Sequence, residues 1–115
     1  MSDSEAWPDA GDLVWIDFDP TLSREQAGRR PALVVSPAAF TKNTGIVLVC
    51  PITSRVRAFP TSVVLPDGLP ISGEILLSHL RSLDALARPV RPIGATVPAA
   101  TAREVRAKLG ALITI

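Results

Sequence analysis

A mainly β, α+β domain is the fold this sequence predicts: a small antiparallel barrel, or a strongly bent sheet, carrying one C-terminal α-helix. Three observations predict it. Eleven prolines, at positions 8, 20, 31, 37, 51, 60, 66, 70, 89, 92 and 98, are spread along the chain and cut it into short segments. Between them lie β-branched runs of strand length with turn signals at their ends. Only the last segment repeats apolar residues at helical spacing.

In chain order, Leu13–Phe18 reads as the first strand, with partial alternation that implies a buried face. Pro20 to Arg30 has no apolar period and reads as a long exposed loop, the kind of segment that tends to carry function. Ala32–Val35 is the second strand, and Ser36 to Asn43 holds a short helical turn. Ile46–Cys50 is the third strand, closed by Pro51. Ser62–Leu65, Glu74–Leu77 and a weaker run at Leu80–Leu83 follow, with a Pro66-Asp67-Gly68 turn among them. From Pro98 to Leu112, Ala102, Val105, Leu109 and Leu112 form an apolar stripe, with Arg103, Arg106 and Lys108 facing elsewhere. Pro98 suits a first turn. Thr101 and Glu104 have capping-box spacing, which would start the helix slightly later. The helix is expected to cover one end of the barrel.

The 115 residues make one domain, 1–115, with residues 1–10 expected to be flexible. Mean hydropathy is +0.30 and 47% of residues are hydrophobic, so a packed core is expected rather than disorder. The longest apolar run, Ile46–Cys50, falls far short of the roughly 20 residues that span a bilayer. The acidic start, Met1-Ser2-Asp3-Ser4-Glu5, lacks the basic-then-apolar order of a secretory signal. The lone Cys50 excludes an internal disulfide and a cysteine metal cluster. The cytoplasm is the expected compartment.

A formal net charge of +1 conceals a strong asymmetry. Residues 1–23 carry Asp3, Glu5, Asp9, Asp12, Asp17 and Asp19 and no base. Residues 24–115 carry all 12 bases against five acids. Ten of the bases are arginine, whose planar fork suits phosphates and stacks on nucleobases. A basic body of this kind is one footprint of nucleic-acid binding, though scattered arginines also simply solvate a surface.

Four stretches in order carry a family resemblance. The run Gly11-Asp12-Leu13-Val14-Trp15-Ile16-Asp17-Phe18-Asp19-Pro20 resembles the opening of MazF/PemK toxins. So does Glu25-Gln26-Ala27-Gly28-Arg29-Arg30-Pro31-Ala32-Leu33-Val34-Val35-Ser36-Pro37, at the right distance behind it. Val49-Cys50-Pro51-Ile52-Thr53-Ser54 is a third match. Leu80-Arg81-Ser82-Leu83-Asp84, followed by the Ile93-Gly94 step into the last helix, is a fourth and weaker one. Together they span about residues 11–113. The resemblance implies an SH3-like barrel of the CcdB/PemK-like toxin fold and a homodimer. It implies an endoribonuclease (an mRNA interferase) that cuts single-stranded RNA at short sequences without a cofactor or metal and so arrests translation and growth. It also implies an antitoxin whose disordered acidic C-terminal segment lies across the RNA site.

Carried over by position, the family's catalytic arginine falls on Arg30 and its catalytic threonine on Thr53. The acidic residue of the first loop, where the family has one, falls on Glu25. Position 29 varies among such toxins, so Arg29 receives no catalytic role.

Those residue types fit the chemistry. Metal-free RNA cleavage uses the substrate's own 2′-hydroxyl, leaving a 2′,3′-cyclic phosphate and a 5′-hydroxyl. Arg30 can donate two hydrogen bonds to the phosphoryl oxygens, Thr53 adds a neutral donor, and Glu25 is an available base. A guanidinium pKa above about 12 favours Arg30 as charge stabiliser over proton donor. With His79 the only histidine, a two-histidine mechanism is excluded, and His79 is expected to be structural. Arg24, Ser54, Arg55, Arg57 and Arg81 are expected RNA contacts, and Trp15 a base-stacking surface or a core or rim residue. Each candidate also has an ordinary explanation. Arg30 can anchor the loop on Asp17 or Asp19, a pairing favoured over cation binding by those two aspartates; Thr53 can be a plain strand residue, and Glu25 a solvated charge. Two other functions remain. A CcdB-like gyrase poison is disfavoured because Leu112-Ile113-Thr114-Ile115 lacks the tryptophan of that family's tail. A non-catalytic dimeric module binding RNA or peptide is the other.

Overall fold

The computed structural model describes residues 7–17 and 29–115. In chain order the elements are β1 (Asp12–Asp17), β2 (Arg29–Val34), α1 (Ala38–Thr44), β3 (Ile46–Thr53) and β4 (Ser62–Val64). Then come β5 (Glu74–Leu76), a 3-10 turn at Leu77–His79, β6 (Arg81–Asp84), β7 (Val90–Thr96) and α2 (Ala99–Leu112). The strands form one seven-stranded antiparallel sheet in the order β4-β5-β3-β2-β1-β7, with β6 paired to β3 off that path.

β3 is the spine. β2 lies along one edge, through Val34↔Val49, Leu33↔Cys50 and Ala32↔Pro51. The other edge is shared. β6 takes the first half of β3, from Ile46↔Asp84 to Val49↔Arg81, and β5 takes its end, through Ile52↔Ile75 and Thr53↔Glu74. From Val49 to Ile52 the chain advances three residues while the partner moves six, from Arg81 to Ile75. The 3-10 turn takes up the difference.

Side chains alternate across a strand, so each strand feeds two faces. Val14, Ile16, Ala32, Val34, Val47 and Val49 turn one way and pack with Leu83. Leu13, Leu33, Cys50 and Ile52 turn the other way, beneath Val97 and Val105, with Leu109 against them. Burial on both faces explains the near-continuous apolar runs. α2 therefore covers one face of the sheet, where the stripe was expected to cap one end of a barrel.

Several local expectations change. α2 begins at Ala99 with Pro98 at its N-cap and no side-chain cap. Thr101 is buried in the first turn and does not cap. Leu112, at 42% exposure, lies past the packed stripe. Lys108 turns back to the sheet, donating to the Ser62 carbonyl at 2.8 Å and pairing with Glu104 at 3.1 Å. β3 runs through Pro51 to Thr53; the residue with no amide sits where the β2 ladder ends. β7 was not expected as a strand. Pro92 and Gly94 mask it, and an end strand of the sheet tolerates both. Within the N-terminal stretch expected to be flexible, Asp9 Oδ1 accepts the Ala38 N–H at 2.8 Å.

Candidate active site

Arg30 and Thr53 lie on neighbouring antiparallel strands. The β2–β3 ladder ends at Ala32↔Pro51, and its register continued two residues sets Arg30 opposite Thr53. Opposed residues share a face. Arg30 follows Ala32 and Val34 onto that face, and Thr53 follows Val47, Val49 and Pro51. Both are half-buried. The register thus sets Arg30 and Thr53, 23 residues apart in sequence, on the same face of adjoining strands just past the last paired residues.

Thr53 Oγ1 accepts the Arg55 N–H at 3.2 Å. This short loop motif aims the hydroxyl and leaves its own hydrogen free to donate. Ser54, Arg55 and Arg57 follow at once on exposed loop positions. Arg81 stands across β3 at Val49, so it shares the Arg30–Thr53 face, four residues back along the strand. Of the expected site residues, Arg30, Thr53, Ser54, Arg55 and Arg57 gather at one corner and Arg81 adjoins it. Glu25 and Arg24 lie outside the described residues.

Trp15 and Arg30 part company. Trp15 opposes Pro31, so it turns to the other face with Asp17 and Arg29. The Arg29 guanidinium sits over its ring, 5.1 Å from the centroid. A contact of this kind is worth about 0.5–1 kcal/mol when exposed. One face of the ring is therefore covered by a cation. The same register separates Asp17 from Arg30: among the described residues no ion pair joins them, and Asp17 opposes Arg29 instead. The expected Asp17–Arg30 anchor does not form, because odd and even positions point apart. Asp19 lies outside the described residues. His79 ends the 3-10 turn, exposed. Burial pushes the Cys50 thiol up to about 11, which keeps it protonated at neutral pH. An apolar pocket of about 150 Å³ lies between α2 and β2, and no candidate residue lines it.

Sequence reasoning missed Glu74. It opposes Thr53 across β3–β5, yet only 1% of it is exposed. Its Oε1 accepts the Arg57 N–H at 2.7 Å and its Oε2 the Phe59 N–H at 2.9 Å. The Arg57 amide above all, helped by those of Phe59 and Ala58 and by the Ser62 hydroxyl, holds the carboxyl below its ordinary value of 4.5 against the opposing effect of burial. A carboxyl lowered on folding stabilises the fold above its ordinary pKa, and the stabilisation fades as pH falls through the lower folded value. In urea unfolding, the stability gap between the parent and Glu74→Gln is therefore expected to close as pH falls below the ordinary carboxylate range and through the lower folded value. A gap constant over that range would contradict it. The clue in the sequence was a carboxylate set inside an apolar run, Gly73-Glu74-Ile75-Leu76-Leu77.

Guanidinium groups and a hydroxyl on one face at adjoining strand ends form a donor set of the kind that suits phosphate oxygens. The comparisons narrow that reading. Residues 9–113 match the model of the PemK-like, MazF-like toxins of type II toxin–antitoxin systems, and the chain belongs to that family. It is 40% identical over 106 residues to the endoribonuclease toxin MazF of Escherichia coli K12, covering 92% of this chain and 94% of the relative. It is 33% identical over 111 residues to the Escherichia coli endoribonuclease PemK, covering 90% and 80%. Among solved structures, MazF from Deinococcus radiodurans superposes with a TM-score of 0.82 at 49% identity, covering 95% of this chain and 98% of that one. Among the described residues no helix is long and apolar enough to cross a membrane.

Proposed function

We propose that this chain is a sequence-specific endoribonuclease of single-stranded RNA, the toxin of a toxin–antitoxin pair, working as a cytoplasmic homodimer without a metal ion. Family membership and relatives named endoribonuclease toxins support the activity. A structure of MazE with MazF from Deinococcus radiodurans, 46% identical to this chain, supports a protein partner; an acidic antitoxin segment would compete with RNA for the same basic corner. The observation that supports the chemistry is the β2–β3 register, which extended past its last pair sets Arg30 and Thr53 on one face of adjoining strands.

The 2′-hydroxyl gives its proton to a base, for which Glu25 is the candidate, and its oxygen attacks the adjacent phosphorus in line. The bond to the 5′-oxygen breaks, that oxygen gains a proton, and a cyclic phosphate remains. Charge on the phosphoryl oxygens grows along the way. The Arg30 fork and the Thr53 hydroxyl meet that growing charge from fixed strands, so little reorganisation is needed at the transition state. Ser54, Arg55, Arg57 and Arg81 hold flanking phosphates, with Arg24 on the preceding loop. Trp15 is assigned the rim, its ring engaged by Arg29.

Incubation of the purified chain with a long single-stranded RNA in excess EDTA, followed by sequencing of fragment ends, tests this reading. Cuts are expected at a recurring short motif, with cyclic phosphate termini, and an acidic antitoxin peptide is expected to protect the RNA competitively. Intact RNA, or cutting only when a divalent metal is restored, overturns it.

A further inference from the structure

We propose that Glu74 is the positioning residue of the loop that follows Thr53: its buried carboxylate gathers the amides of Arg57 and Phe59 and so fixes where Arg55 and Arg57 stand against bound RNA. The proposal rests on the ribonuclease reading above and names the device that organises the RNA-holding loop.

Three observations converge. First, the carboxylate spends both oxygens on main-chain donors of the loop and is almost fully shielded from water. A buried carboxylate is tolerated only when its lone pairs are met, and here loop amides meet them. Second, Ala58, between the two donating residues, is the one non-glycine residue with positive φ among those described, at 55°. Left-handed backbone at alanine is unfavourable and persists where surrounding contacts over-determine it. With residues 57 and 59 both tied to one carboxylate, Ala58 has no room to relax. The N–H groups on either side of that residue both point at the Glu74 carboxylate. Third, Glu74 opposes Thr53 itself, so the strand that ends in the candidate hydroxyl and the loop that leaves it are fastened at the same point. The Arg55 N–H on Thr53 Oγ1 adds a second tie at the loop's start. Arg55, Val56 and Arg57 meanwhile stay exposed, their backbone held and their side chains outward.

The test is steady-state cleavage of a short single-stranded RNA by the full chain, with Glu74→Gln keeping the shape and Glu74→Met filling the space without the charge. Glu74→Gln places an amide NH2 against an N–H donor and releases one side of the loop. KM is expected to rise roughly tenfold, the effect of re-ordering a loop and its arginines on binding, while kcat changes less than about threefold. The salt dependence of log KM is expected to flatten by about 0.7 for each arginine displaced. A merely structural role would lower the active fraction and leave KM and the salt slope as in the parent, and that result overturns the proposal. Amide exchange on the unsubstituted chain is the second measurement and needs no variant to fold. The N–H groups of Arg57 and Phe59 are expected to be protected while neighbouring exposed loop amides exchange freely; unprotected amides at both positions overturn the clamp. A parent chain that fails to cut any RNA overturns the ribonuclease reading instead, and is told apart because protection of the two amides would stand.

Discussion

Arg30→Ala is expected to slow RNA cleavage by about 10²–10³-fold, and Thr53→Val by a similar factor, with folding little changed. The size follows from what each group does. A preorganised donor aimed at developing charge acts without reorganisation, and removing one such donor from an active site has effects of this order. Arg30→Lys separates charge from geometry: it keeps the cation and loses the bidentate fork, so only partial activity should return. Because both residues are half-buried at strand ends and belong to no core cluster, stability should move by no more than about 0.5 kcal/mol. Single-turnover cleavage rates and urea unfolding on the same preparations decide the matter. The double variant is the sharper readout. Two groups serving one phosphoryl centre should lose less together than the product of their separate losses. Strictly multiplicative losses would mean that they act at separate places.

Gly73→Ala is expected to be the most damaging added methyl among the described glycines. Gly73 has φ +141°, a conformation that L side chains rarely adopt. A Cβ built there overlaps the Thr53 carbonyl oxygen and comes within 3.1 Å of Ile52 Cγ2. The obstacle is backbone, which has no rotamer to escape into. Strain of about 1–3 kcal/mol and overpacking of about 1–3 kcal/mol would act together. The displacement would fall on the Ile52↔Ile75 and Thr53↔Glu74 pairs, so activity should fall with stability. Gly68→Ala is the control: φ is +95° but nothing lies within 4 Å of a Cβ there. Only the backbone penalty of about 1–2 kcal/mol remains. Equal urea midpoints for the two variants would show that the close approach at Gly73 exerts no force.

Much of this architecture was legible in sequence, for identifiable reasons. β1, the apolar part of β2 and most of β3 announce themselves because central strands bury both faces and so leave dense β-branched runs. α2 is visible because one face packs and the rest is wet, giving a 3.6-residue period. β7 is hidden because its strand character comes from pairing with β1, and the sequence records only proline, glycine and scattered apolar residues. Arg30 and Thr53 were legible through resemblance, yet their meeting depends on a register that no local pattern encodes. The same register defeated the Asp17–Arg30 pairing, since one step along a strand reverses the face. Glu74 was only half legible. A carboxylate inside the apolar run Gly73–Leu77 marks it as unusual, but its partners, the amides of a loop 15 to 17 residues upstream, leave no local signal.

The Glu74 clamp addresses only main-chain amides. Nothing in it constrains the identity of residues 55, 56 or 57, whose side chains point away from the grip. Such an arrangement separates the frame of the loop from its outward side chains: residues at 55–57 can be exchanged without touching the hydrogen bonds that hold the loop. Changes at Gly73 or Glu74, by contrast, disturb the frame itself.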